Sequence, residues 1–351
     1  MLTKMELPIY LDAAATTPVH PEVLEAMLPY FTQHFGNANS QHIYGQIAKK
    51  AIDDARQSIA DHINVLPEEI IFTSGATEAI NLAIKGYWEA NRDKGNHIIT
   101  VKTEHKAVLN TCAYLETLGI DVTYLDVDHY GRITNDQLRA AFRQDTILAC
   151  VMHVNNETGL IQDIHSFAET CAEQGVAFFT DSTQAIGHIE TDYGNPAISM
   201  ACMSAHKIAG PKGIGALIKR GQIKISPLFH GGQQEGGMRP GTVNTPNIVG
   251  FSTALTLATN RMTNLQERHR LLLLSIAKEY NATALLPETQ SAPHILCLLS
   301  NDQRAEDFLL TRQHEIAASL GSACESSVIS TSHVYSALGA EGINMFRISI
   351  S

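Results

Sequence analysis

The chain has 351 residues, 44% of them apolar and 17% charged, with a formal net charge of -11. That is enough apolar content for one large core or two packed ones, and the acidic balance argues against a general nucleic-acid footprint. Six cysteines (Cys112, Cys150, Cys171, Cys202, Cys297 and Cys324), none in a C-x-x-C pair and most in apolar or helical runs, exclude a disulfide framework or zinc knuckle and point to a reducing, cytoplasmic compartment.

The opening "MLTKMELPIYLDAAATTP" has no long apolar run, so no signal peptide is expected. Strand-like runs then alternate with helix-patterned stretches. "EEIIFTSG" (68–75) reads as a strand entering a turn, followed by helical "ATEAINLAIKGYWEA". "HIITVKTEH" (97–105) is a strand and "KAVLNTCAYLETLG" a helix ending at Gly119. "VTYLDVD", "TILACVMHVNN", "GVAFFTDST", "AISMACMSAHK" and "GIGALIKR" continue the strand series. Short β-rich runs separated by helices imply parallel βαβ units, an α/β fold class. A long helical pattern from "TPNIVG" to "AKEY" bridges, near residue 257, to a smaller α/β region. That region holds "HILCLLS", the helix "AEDFLLTRQHE", the loop "SLGSACESSVISTS" and a last strand, "NMFRISIS". The longest aliphatic run, "LLLLSIA" (271–277), is far too short to span a bilayer.

In open α/β sheets, ligands bind at the carboxyl ends of strands. The polar residues there are Ser74 to Thr77, Glu104-His105, Asn155-Asn156-Glu157, Asp181 with Thr183 and Gln184, and Ser204 to Lys207. "TSGATEA" puts small residues and hydroxyls at a helix start, which suits a phosphate or equally a simple N-cap. No G-x-G-x-x-G or G-K-[ST] nucleotide signature is present. Lys207, at a strand end before a Gly/Pro-rich turn, is placed for desolvation that frees its amine. Asp181 ends an apolar strand and needs a cationic partner, such as a pyridinium N–H, unless it caps the next helix. His105 offers a flat ring and a titratable nitrogen, or only a helix start. Phosphate site, amine, acid and flat ring together describe a pyridoxal phosphate pocket.

The motifs "YLDAAATTP", "FGNANSQHIYG", "FTSGATEAINLAI", "TEHKAV", "HVNNETG", "DSTQAIG", "SAHKIAGPKGIGAL", "GMRPGTVNTP" and "GSAC" follow one another along the chain in that order. The chain resembles the cysteine desulfurases, pyridoxal-phosphate enzymes of the class V aminotransferase group. The resemblance implies a fold-type I transferase with a mostly parallel seven-stranded sheet in a large domain (16–256). It also implies a smaller α/β domain (1–15 and 257–351) that carries the cysteine loop. It implies that Lys207 bonds the cofactor, His105 stacks on it and works as acid/base, Asp181 pairs with the ring nitrogen, and Gln184 bonds the ring hydroxyl. Ala76, Thr77, Ser204 and His206 would cradle the phosphate, joined by Thr242 from the partner of a homodimer. Asn155 and Arg347 would hold the substrate carboxylate. The alternation in "NMFRISIS" separately puts Arg347 on one strand face with Ser349 and Ser351, where its guanidinium fork suits a carboxylate. No metal site is expected.

The implied reaction takes sulfur from L-cysteine onto Cys324 as a persulfide and releases alanine. Small residues on both sides of Cys324 suit a loop that must reach the cofactor and then an acceptor protein. Glu325 beside it disfavours the thiolate, so activation must come from elsewhere. Ala209, "GNANS" and "EGGMRPGT" depart from the family's usual pattern without removing an implied contact. The chain stops at Ser351, where relatives usually continue, which favours a specialised sulfur route such as nucleic-acid thiolation, including DNA phosphorothioation, over iron–sulfur assembly. A selenocysteine lyase or another pyridoxal-phosphate C–S lyase is the alternative enzyme reading. A cofactor-free assembly partner is the non-enzyme reading, against which Lys207, Asp181 and Cys324 all stand.

Overall fold

The computed structural model describes residues 7–287, 290–301, 303–321, 332–339 and 344–351, so Cys324 lies outside the described residues. A short strand β1 (Ile9–Tyr10) and helices α1 (Pro21–Met27), α2 (Pro29–Thr32) and α3 (Ile43–Ile63) come first. The βα alternation follows: β2 (Ile70–Thr73), α4 (Ala76–Ala90), β3 (His97–Val101), α5 (Lys106–Glu116), β4 (Asp121–Leu125) and α6 (Asn135–Ala141). It continues with β5 (Thr146–Cys150), α7 (Ile164–Glu173), β6 (Ala177–Asp181), β7 (Met200–Ser204) and β8 (Gly215–Lys219). Helix α8 (Thr245–Glu279) leads to β9 (Ala282–Ala284), β10 (Ile295–Ser300), α9 (Ala305–Thr311), β11 (Ile316–Ala317), α10 (His333–Ala337) and β12 (Met345–Ser349).

The central sheet has seven strands in the order β2-β8-β7-β6-β5-β3-β4. Every neighbouring pair is parallel except the two made by β8. The reversal has a simple cause: residues 205–214 between β7 and β8 are too few for a helical crossover, so β8 can only return antiparallel. Strands with helices on both faces are apolar throughout, and alternate residues serve opposite layers. Ile99 and Phe178 pack with α3, α7 and α8, whereas their neighbours Ile98 and Phe179 pack with α4 and α5.

Helix α3 shows how the sequence sets an element. His42 caps it by accepting the Gly45 amide, Ile52, Ala55, Ile59 and Ile63 form its buried stripe, and Asn64 ends it at φ 57°. A second core gathers on an antiparallel sheet ordered β12-β10-β9, beside the parallel pair β1 and β11. Helix α8 serves both cores: Phe251 and Leu255 lie in the larger, Leu273 and Ala277 in the smaller. On β12, Phe346 and Ile348 enter the smaller core, so Arg347 and Ser349 face the other way.

Candidate active site

A cavity of about 450 Å³ opens at the carboxyl ends of β2, β3, β6 and β7 and the chain that follows β5. Ala76, Thr77, His105, Asp181, Gln184, Ser204, His206, Lys207 and Arg347 all line it. Asn155 and Thr242 do not line it, and Cys324 lies outside the described residues.

One end is built from the turn between β2 and α4. Gly75 sits there at φ 152°, and no side chain caps the helix. The first-turn amides, those of Ala76 and Thr77 included, have no acceptor within the helix and carry its positive dipole end. Gly215 on β8 lets the turn approach, since a Cβ there would stand 2.8 Å from the Gly75 Cα. Glu78 fixes the turn by accepting the Ser74 amide (2.8 Å) and the Arg239 guanidinium (3.0 Å). Burial works to raise this carboxyl, but those bonds outweigh it and hold its pKa low. His206 bonds Thr16 Oγ1 through Nδ1 at 3.1 Å. Burial, then the charges of Lys207 and Lys212, push its pKa down to about 4, so the ring is neutral.

The middle of the cavity holds the lysine and the acid. Lys207 Nζ donates to the carbonyls of Ala14 (2.6 Å) and Ala15 (2.7 Å). Gln184 Nε2 donates to the same Ala14 carbonyl at 2.9 Å. Asp181, 5% exposed at the end of β6, accepts the Thr183 amide (3.0 Å) and the Cys202 thiol (3.3 Å) on Oδ1. His105 caps α5, its Nδ1 accepting the Ala107 amide at 3.1 Å, while also lining the cavity. The helix-start reading of this histidine holds, and the ring also has a place on the cavity wall. Burial lowers its pKa, Asp181 works to raise it, and Lys207 lowers it further. With Nδ1 accepting, the neutral ring carries its proton on Nε2.

Arg347 closes the other end. It is 1% exposed, donating to Asp12 Oδ1 at 2.6 Å and to the Asn156 carbonyl at 2.7 Å, with no partner for Nε among the described residues. The surface-arginine reading is thus excluded. Asn155 departs from its expected place. Its Oδ1 accepts the amides of Glu157 and Thr158, both at 2.9 Å, and its Nδ2 donates to the Thr103 carbonyl at 2.9 Å. The amide is spent on holding the loop, and it is Asn156 that lines the cavity. Thr242 is exposed and borders a smaller cavity beside Ser74 and Arg239. Asp12, Glu78, Arg239 and the Ala14 and Ala15 carbonyls were not read from the sequence. The motifs containing them carried a signal, but not their partners.

Glu104 stands behind this wall, 1% exposed, accepting the Met152 amide on Oε1 at 2.5 Å. Burial, then the charge of Asp181, raises its carboxyl well above the usual range. Among the described residues no group of three or more His, Cys, Asp or Glu could hold a metal ion, and no helix is long and apolar enough to cross a membrane.

These residues fit a phosphorylated pyridine carbonyl compound. An uncapped helix start that suits a phosphate, an amine, and a buried carboxylate that keeps Oδ2 without a hydrogen bond among the described residues all line the one cavity. Fold and site thus define an α/β enzyme built around pyridoxal phosphate. A family profile, Aminotransferase class-V, matches residues 9–351. A cysteine desulfurase IscS of Methanosarcina thermophila is 46% identical over 339 residues, covering 94% of this chain and 83% of that protein. A solved structure described as SspA in complex with cysteine superposes with a TM-score of 0.87 at 38% identity, covering 97% of this chain and 98% of the other. DndA from Streptomyces lividans gives a TM-score of 0.82 at 34% identity, covering 97% and 99%. The chain belongs to the cysteine desulfurases of the aminotransferase class-V family, enzymes that use pyridoxal phosphate.

Proposed function

We propose that the protein converts L-cysteine to L-alanine and carries the sulfur as a persulfide on Cys324. The reading is carried by one observation: Lys207, Asp181 and Arg347, far apart in the chain, face a single cavity. In this reading Lys207 bonds the cofactor through its amine, Asp181 pairs with the ring nitrogen, and Gln184 meets the ring hydroxyl. Ala76, Thr77, Ser204 and His206 hold the phosphate, with Thr242 of the partner subunit. Pyridoxal phosphate, when bound, supplies an electron sink for the pair left as a substrate α-proton departs.

The remaining work falls to side chains. Arg347 binds the substrate carboxylate with its fork, together with Asn155. His105 lays a neutral ring against the cofactor and offers its Nε2 proton as a donor. Its acid/base part requires the Ala107 N–H···Nδ1 bond to open. The thiolate of Cys324 attacks the substrate sulfur, the S–S bond forms, and the Cβ–S bond breaks with its electron pair passing to carbon, which is then protonated. The sum balances without an external oxidant: L-cysteine and a protein thiol give L-alanine and a protein persulfide. Five cysteines are buried with their thiols pushed up, which leaves the sixth, Cys324, for this task. Cys324 lies three residues beyond Gly321, a span of at most about 11 Å.

The same proposal includes a homodimer, supported by exposed apolar residues at Leu24, Leu28, Phe31, Phe35, Ile43 and Tyr44. The acceptor is a protein of an iron–sulfur or nucleic-acid thiolation route, DNA phosphorothioation included. The net charge of -11 favours a protein intermediary over direct contact with nucleic acid. Sulfide and alanine release from L-cysteine by the wild type and Cys324→Ala tests the reading. Full desulfurase turnover by the variant would favour the selenocysteine or other C–S lyase alternative.

A further inference from the structure

Glu157 follows β5 and is fully buried, a costly place for a carboxyl unless it is well hydrogen-bonded. It meets both ends of the chain segment that carries Cys324. On one side Ser332 donates its hydroxyl to Glu157 Oε2 at 2.5 Å. On the other, Gly321 backs onto the same oxygen: a Cβ there would stand 3.0 Å from Oε2 and 3.2 Å from the Ser332 Cβ. Residues 321 and 332 therefore converge on one buried side chain.

The backbone that carries it is itself fixed. Asn155 accepts the Glu157 amide at 2.9 Å and is anchored to the Thr103 carbonyl. The stems continue into the active site. Ser319 exchanges two backbone hydrogen bonds with Arg347, at 2.7 and 3.3 Å. His333 Nε2 donates to the Glu104 carbonyl at 2.9 Å, next to His105. The chain enters the segment beside the arginine of the cavity and leaves it beside the histidine, with Glu157 between.

We propose that Glu157 is a positioning residue for sulfur transfer. It holds Ser332 by a hydrogen bond, with Gly321 packed against the same carboxyl, and so sets both beside the cavity, where the thiol borne between them meets the substrate sulfur. This rests on the reading of Cys324 as the sulfur carrier.

The test compares two rates in the cofactor-loaded enzyme. One is single-turnover persulfide formation on Cys324 from L-cysteine, read by mass spectrometry. The other is loss of the α-deuteron of L-alanine to water, which uses Lys207 and Arg347 but no thiol. Glu157→Ala and Ser332→Ala are expected to slow persulfide formation roughly 10- to 100-fold, as a small misplacement of reacting groups does. Deuteron loss should stay within about threefold of wild type, the mark of an intact substrate site. Glu157→Gln keeps an acceptor for the Ser332 hydroxyl and should recover most of the persulfide rate.

Wild-type persulfide rates in Glu157→Ala or Ser332→Ala would overturn the proposal, as would equal loss of both rates. Ser332 also caps α10 by accepting the Val334 amide at 3.1 Å, so the deuteron control is needed for that variant too. If Glu157→Ala does not fold, Ser332→Ala and Gly321→Ala decide by the same two rates. Cys324→Ala separates the two levels: it should form no persulfide and keep deuteron loss. If it still releases sulfide at the wild-type rate, the assignment of Cys324 fails, whatever Glu157 does.

Discussion

Burial disarms the five described thiols of this protein. It pushes Cys112, Cys171 and Cys297 up to about 12, and Cys150 and Cys202 well above their ordinary value. A buried, protonated thiol is a poor nucleophile. Native protein exposed to iodoacetamide at pH 8 should therefore take up one equivalent, on Cys324, with the other five modified only after unfolding. Peptide mapping checks this. Arg347 tells a similar story for the substrate. Its fork is oriented by Asp12 and the Asn156 carbonyl, so a point charge in its place would lose the geometry. Arg347→Lys should raise KM for L-cysteine roughly 10- to 100-fold and lower kcat less, in steady-state kinetics. The arginine was legible because the alternation of β12 aimed it away from the apolar face. Its partner Asp12 was not, since that pair joins the two ends of the chain. The loop bonds of Asn155 were not legible for a related reason: an asparagine after a strand serves a ligand or its own loop equally well, and its sequence does not show its partners.

At the scale of elements, the strand ends were legible because apolar runs stop where polar residues begin, and the parallel sheet gathers those ends on one side. The direction of β8 was not visible in its own residues; it comes from the short link after β7. The turn that follows β7 also holds a strained residue. Ala209 has φ 59°, with its amide bonded to Thr17 Oγ1 and its carbonyl to the His20 amide. The left-handed region costs a non-glycine residue about 1–2 kcal/mol, and glycine gives back roughly 0.5–1 through the unfolded chain. Ala209→Gly should therefore raise stability by about 0.5–1 kcal/mol, read from the urea midpoint. Helix α8 passes through residue 256, where the larger domain was expected to end. We propose to keep that division, with the helix as the shared strut.

Across the whole molecule, several histidines are buried neutral. Burial pushes His153 down to about 3, His188 to about 4, and His294 well below its ordinary value. In the unfolded chain they take up protons near pH 6.5, so their depressed values favour the folded state above that pH and less so as pH falls. At pH 5.5 each costs on the order of 1 kcal/mol. Glu104 works in the opposite sense, because its raised pKa gives stability that is lost as pH rises, but it is one group against these three, His206 and His105. The urea midpoint should fall between pH 7 and pH 5, and a flat profile would contradict the burial of these rings. The central claim joins Lys207 and its cofactor site to a thiol supplied by the smaller region. It is tested most directly by one turnover with L-cysteine, followed by mass analysis of the Cys324 peptide and measurement of alanine. The account predicts one added sulfur atom on Cys324 for each alanine formed, and neither product from Cys324→Ala. Alanine and sulfide released by that variant at the wild-type rate would contradict it.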